Sequence, residues 1–285
     1  MFDRPSWMGP PKYSSRQRSN ALSQDLDKKI SFLENAGEIR NELAIFAKSA
    51  HELRNVSFHA GIKNEEILHA VACTFFDVAC EIFEKLGTGL GFIQLTSDRH
   101  KLGERFFNYL ASNDLHEPVF HGPDRKKISA HLKSKVGMEI FDLQDTLSRQ
   151  LNKEISRIES DLDFIEKNSP NKPSREEAIE DSQFYYEIDR RSKALPLPHT
   201  PEYEDAHKKM ISEARKNWRP KFINIPFSSW KKKAELLKSG KDPLLSLEKF
   251  LNFRREMRDI ADAVSEMSFE LDGWIQNQID IARGK

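Results

Sequence analysis

The chain is short of the residues that commit a sequence to disulfides, membranes or frequent turns. Its two cysteines, Cys73 and Cys80, are too few for a disulfide framework and suit a reducing compartment. No run of roughly 20 apolar residues occurs, so no membrane-spanning helix is expected. The opening stretch, MFDRPSWMGPPKYSSRQRSN, has no apolar segment of the kind a signal peptide needs. Twelve glycines and thirteen prolines in 285 residues are sparse for an all-β fold and too few for a low-complexity chain. An excess of either charge is also missing, because 45 Lys+Arg balance 45 Asp+Glu. A neutral chain gives no broad electrostatic attraction to nucleic acids or membrane surfaces. Walker A, G-x-G-x-x-G, G-x-S-x-G and C-x-x-C patterns are absent. Neither a cofactor nor a bound metal is therefore expected, and a cytoplasmic protein is.

What remains is apolar residues at helical spacing. Hydrophobic residues make up 38% of the chain, with 19 Phe, enough to build a core. Leu26, Ile30, Leu33, Ile39, Leu43, Phe46, Ala50 and Leu53 recur mostly three or four apart, with Gly37 as a break. Asn64, Glu65 and Glu66 start a helix that runs to Leu86 and is apolar over most of its circumference, predicting a central position. Gly87-Thr-Gly-Leu-Gly91 stops it, and a further helix is expected over 98–112. Val136, Ile140, Leu143, Leu147, Leu151, Ile155, Ile158, Leu162 and Ile165 form one long stripe. Ser174 and Glu177 offer a capping box, and Lys221–Ile225 is a short apolar piece between prolines. From Pro243 to about Ala282, Leu247, Phe250, Met257, Ile260, Val264, Met267, Leu271 and Trp274 make a second seam.

The expected fold is all-α, with long antiparallel helices in a helical bundle. The expected organisation is a disordered Pro/Ser/Arg tail over 1–20, a helical bundle over 21–168, a Pro-interrupted linker with short helices over 169–242, and a long C-terminal helix over 243–285 packing on the bundle.

Chemistry concentrates in Ala50-His-Glu-Leu-Arg-Asn-Val-Ser-Phe-His-Ala-Gly61, read as a connection between two helices. Arg54 and His59 stand near the positive end of the next helix. An imidazole moves protons near neutral pH, and a guanidinium holds a phosphate with a planar fork. Together they are a minimal set for cleaving a phosphodiester without metal. Arg54-Asn55-x-x-x-His59 resembles the R-N-x-x-x-H motif of HEPN-domain ribonucleases. Ala60-Gly61 and the next, acidic-start helix also fit the usual downstream pattern of that family. The resemblance covers 23–87. It implies an all-helical, metal-independent endoribonuclease of a defence or toxin system, acting as a homodimer whose two motifs line one RNA-cutting cleft. It gives Arg54 and His59 catalytic roles and makes Asn55 the polar residue that orients them. Fewer helices precede the motif here than in that family.

Other readings stand beside it. His51-Glu-Leu-Arg-Asn55 looks like the phosphoacceptor box of sensor histidine kinases, with Val56 where a proline is usual and no ATP-binding motifs. A non-enzymatic interaction protein would instead use the seams 136–165 and 247–274 for a partner or for dimerisation. His116, Glu117, His121 and Asp124 share a loop, without a known metal spacing. Cys73 and Cys80, seven apart on one apolar face, read as core. Basic residues lie at Lys126–Lys135 and, interleaved with Trp218, Phe222, Phe227 and Trp230, over His207–Lys233. Such interleaving suits single-stranded nucleic acid, although a solvated face over packed aromatics is the simpler reading.

Overall fold

The structure is a computed structural model that describes residues 14–22, 24–60, 65–86, 112–113, 125–136, 142–195 and 200–283. Ten helices lie among the described residues, and no strand. They are α1 (Ser15–Leu22), α2 (Leu26–Asn35), α3 (Asn41–Ala60), α4 (Glu65–Leu86), α5 (Arg125–Val136), α6 (Leu143–Asn168), α7 (Arg175–Ser192), α8 (Pro201–Asn217), α9 (Phe227–Lys238) and α10 (Leu244–Ala282). The fold is all-α and bundled. The helix expected over 98–112, the glycines at 87–91 and Asn64 lie outside the described residues, apart from Ser112.

Contacts divide the chain into two compact units, Met1–Thr146 with Gly240–Glu248 and Leu147–Ser239 with Lys249–Lys285. In the first, α2 packs on α1 and α3, and α4 packs on α3 and α5. The Asp25 carboxylate caps α2 by accepting from the Asp27 and Lys28 amides. Gly37 ends that helix turn with φ +71°, a left-handed conformation that glycine adopts without a Cβ clash. Ile30, Ala44 and Ala47 bury together, with Ile39 packed against them. On α4 the buried residues are Ile67, Ala70, Val71, Cys73, Val78 and Cys80, while Phe75 is 45% exposed. The helix is therefore amphipathic, and its apolar circumference is not fully covered.

The second unit is organised by the α6 stripe. Leu147, Leu151, Ile155, Ile158, Leu162 and Ile165 are all buried. The stripe starts one element later than its sequence spacing suggests. The Asp142 carboxylate accepts from the Gln144 and Asp145 amides and fixes the helix start at Leu143, so Val136 belongs to α5. Helix α7 doubles back from α6 through a capping box. The Ser174 hydroxyl accepts from the Glu177 amide at 3.3 Å, and Glu177 accepts from the Ser174 amide at 2.8 Å. Helix α9 runs opposite to α6, with Lys231 bonded to Glu159 and Asn152 to Glu235. Helix α10 runs in the same direction as α6, since Arg254 meets Glu154 and Arg157 meets Ser265. In the α10 seam Leu247, Phe250, Met257, Ile260, Val264 and Leu271 are buried, Met267 is half-buried and Trp274 is 47% exposed.

Among the described residues Trp230 is the largest fully buried side chain, 1% exposed. Phe222, Phe227 and Phe253 meet its ring edge-on at centroid distances of 6.1, 6.1 and 6.0 Å. Edge-to-face contacts add to burial in this distance range. Trp230→Ala is expected to cost about 3–5 kcal/mol, the usual cost of truncating a buried aromatic. Lys233→Ala, which removes an exposed pair with Glu256, is expected to cost at most about 1 kcal/mol. Urea unfolding followed by far-UV circular dichroism measures both, and a smaller loss at Trp230 than at Lys233 would contradict this packing.

Candidate functional site

The segment 50–60 is not a connection between helices. It is the last part of α3, which continues to Ala60. Phe46, Ala50 and Leu53 keep one buried stripe through it, and no glycine or proline interrupts the chain before Gly61. The motif is thus carried on the helical backbone of α3.

Register on α3 sets the environment of each residue. Arg54 is exposed and Asn55 is half-buried. Arg54 Nη1 donates to Asn55 Oδ1 at 3.5 Å. Asn55 Nδ2 lies 3.2 Å from His51 Nε2, one helical turn earlier. His51 Nδ1 lies 3.4 Å from Asp27 Oδ1 on α2. Among the described residues no carboxylate lies within ion-pair distance of Arg54. His59 is in the last turn of α3, and its side chain lies outside the described residues. Five helical positions separate it from Arg54, about 140° around the axis. One copy of α3 therefore does not present both positions on a single face.

The structure brings together Arg54, Asn55 and two residues outside the R-N-x-x-x-H pattern, His51 and Asp27. The spacing of four between His51 and Asn55 is readable in the sequence as one helical turn. Asp27 lies 24 positions from His51 on another helix and gives no local signal. Both His51 ring nitrogens are engaged, so neither is open in this arrangement as a phosphoacceptor.

Among the described residues, several of the remaining candidates are packed or paired. In the His207–Lys233 segment Trp230 is core, and Trp218 meets Phe184 edge-on at 5.3 Å. Lys221 pairs with Asp259, Lys231 with Glu159 and Lys233 with Glu256. These aromatics pack on other aromatic side chains, and these three lysines face carboxylates rather than forming a basic track. The short piece 221–225 is neither helix nor strand; the Gln183 side-chain oxygen accepts from the Lys221 and Phe222 amides. The loop holding His116, Glu117, His121 and Asp124 lies outside the described residues. Cys73 Sγ sits 3.7 Å from His69 Nε2, yet burial, and then the nearby Asp77 charge, push its thiol pKa up. That makes a poor nucleophile at neutral pH.

The second unit contains a groove of about 780 Å³ between α6, α7 and α10, with Phe164, Tyr186 and Phe269 among its walls. Asp161, Asp262 and Glu266 line it, and all three carboxyls are held above their usual range. Desolvation is the first cause in each case; for Glu266, Asp189 adds like-charge repulsion and Lys193 opposes it. No family model matches the chain, and no curated protein or solved structure matches it significantly.

Burial and desolvation each predict a measurable outcome. Cys73 and Cys80, both buried, should react with a thiol reagent slowly in the native protein and quickly in urea; equal rates would contradict their burial. A carboxyl whose folded pKa is raised disfavours the fold above that pKa and ceases to do so once protonated. Glu266→Gln should therefore raise Tm at neutral pH, and the gain should fade as pH drops into the range where Glu266 itself binds a proton. A Tm difference independent of pH would contradict the shift.

Proposed function

We propose that this chain is a metal-independent endoribonuclease of the HEPN kind, with its site on the second half of α3. The observation that carries the reading is an exposed Arg54 guanidinium held by a neighbouring amide and facing no carboxylate among the described residues. A guanidinium in that state can form a paired hydrogen bond with a phosphodiester without first breaking an ion pair. In this reading His59 carries protons between the RNA 2′-hydroxyl and the leaving 5′-oxygen, and Arg54 stabilises the charge that develops on phosphorus oxygens. Asn55 orients Arg54. The 2′-oxygen attacks its own phosphate, the bond to the 5′-oxygen breaks, and the products are a cyclic phosphate and a free 5′-hydroxyl. Two copies complete the cleft, because one helix spreads Arg54 and His59 around its axis. A role in a defence or toxin system and a cytoplasmic location belong to the same proposal.

A second reading, a helical interaction protein, is favoured by α10, where Phe269 is 76% exposed and Trp274 47% exposed beyond the buried seam. Exposed aromatics on one helix suit a protein partner or a second copy.

The test is incubation of total RNA with purified full-length protein in EDTA, beside an Arg54→Ala, His59→Ala double variant of matched Tm. Cleavage by the wild type alone, leaving cyclic phosphate ends, is the expected result. RNA left intact by both proteins at matched fold would reject the nuclease, and cutting by both would place the activity elsewhere.

A further inference from the structure

We propose that Asp27 and His51 are positioning residues for Arg54, acting through Asn55; the proposal rests on the nuclease reading for its function but not for its geometry. The three contacts have only one consistent assignment of donors and acceptors. A guanidinium can only donate, so Asn55 Oδ1 must be the end of the amide that faces Arg54 Nη1, at 3.5 Å. The other end, Asn55 Nδ2, can only donate, so His51 Nε2, 3.2 Å away, must accept. In that assignment Nδ1 carries the ring N–H and donates it to Asp27 Oδ1, 3.4 Å away. The chain of choices starts at Asp27, whose charge favours the Nδ1–H tautomer, and ends at the guanidinium.

Each link fails in a defined way. With the proton on Nε2, His51 would meet the Asn55 NH2 group as donor against donor. The amide would then turn, placing its NH2 group toward Arg54, which has only donors to offer. Arg54 would lose its only hydrogen-bond partner among the described contacts. Because the guanidinium is exposed, no other described contact restricts its long side chain. A flexible side chain on a solvated face loses rotamer entropy when it binds. Prior anchoring at Asn55 reduces that loss, so the effect should fall on the charge-developing step that Arg54 serves.

The experiment uses the full chain and four variants, His51→Ala, His51→Gln, Asp27→Ala and Arg54→Ala, with the His51→Ala, Arg54→Ala pair. His51→Gln places an amide oxygen close to the Nε2 position, so it can still accept from Asn55 and serves as the conservative rescue. Two readouts are taken: kcat and KM on an RNA oligonucleotide, and the Asn55 Nδ2 and Arg54 Nε signals in ¹⁵N NMR spectra. Expected are a roughly tenfold or greater fall in kcat for His51→Ala with little change in KM, a smaller fall for Asp27→Ala, and substantial recovery in His51→Gln. In the double variant the two losses should not add, since both act on one group. The Asn55 and Arg54 signals should move in His51→Ala and Asp27→Ala, whatever the activity. Additive losses, or no recovery in His51→Gln, would reduce His51 to a structural residue and overturn the proposal. If the wild type cuts no RNA, the nuclease reading fails by itself, and the NMR signals decide the rest: unmoved signals in both variants overturn the array.

Discussion

Every polar contact at the candidate site depends on which stripe of α3 is buried. Leu43, Phe46, Ala50 and Leu53 face inward, and at 3.6 residues per turn this leaves no freedom for their neighbours. Arg54, one turn after Ala50, is exposed near the end of the helix, and Asn55, about 100° further round, is half-buried. His51 lies one turn before Asn55, where α2 packs alongside and brings Asp27 within reach. The apolar residues of α2 and α3 thus determine the polar array. Ile30 buries with Ala44 and Ala47, and sliding α2 along α3 would separate Asp27 from His51 while leaving the His51–Asn55 contact intact. The array has a local half, set by one helix, and a tertiary half, set by the packing of two.

That division explains what could be read in the sequence. The capping box at Ser174 and Glu177, the break at Gly37 and the end of the last helix near Ala282 are local events, and the structure has all three. The long stripe from Leu143 to Ile165 is buried as its period requires. A start at Val136 misses Asp142, because apolar spacing continues across a cap and says nothing of the hydrogen bonds that begin a helix. The same blindness places 50–60 in a connection. Polar residues in a row look like a loop, but Ala50 and Leu53 continue the buried stripe of α3 through them. Asp27 is out of reach for a different reason, since its role depends on a partner helix.

Acidic residues in this chain respond to pH in two opposite ways, for reasons visible in their surroundings. Glu177 accepts from the Ser174 amide and is held below its usual range, as is Asp25, which accepts from the Lys28 amide. Both support helix starts while ionised, and that support is lost as pH falls through their lowered pKa values. Asp161, Asp262 and Glu266 are raised, mainly by burial along one groove. Their ionisation opposes folding above the raised pKa values and is relieved as they protonate. On acidification the groove is relieved first and the caps are lost later, so a mildly acid solution removes a cost without yet removing a support.

The lysines of the His207–Lys233 segment show why composition does not reveal an RNA surface. A phosphate-tracking groove needs cations that lack protein partners, and Lys221, Lys231 and Lys233 each have a carboxylate. Their aromatic neighbours Phe222, Phe227 and Trp230 build core, so the alternation of basic and aromatic residues records an amphipathic wall around Trp230. With the charges of the whole chain balanced, long-range attraction of a polyanion has no source in net charge. Any phosphate that reaches α3 is held by contacts made there. A site of that kind gains little affinity from counterion release, because that gain scales with the number of phosphates neutralised. In the proposed site, recognition then rests on Arg54 and on the Asn55 amide that holds it.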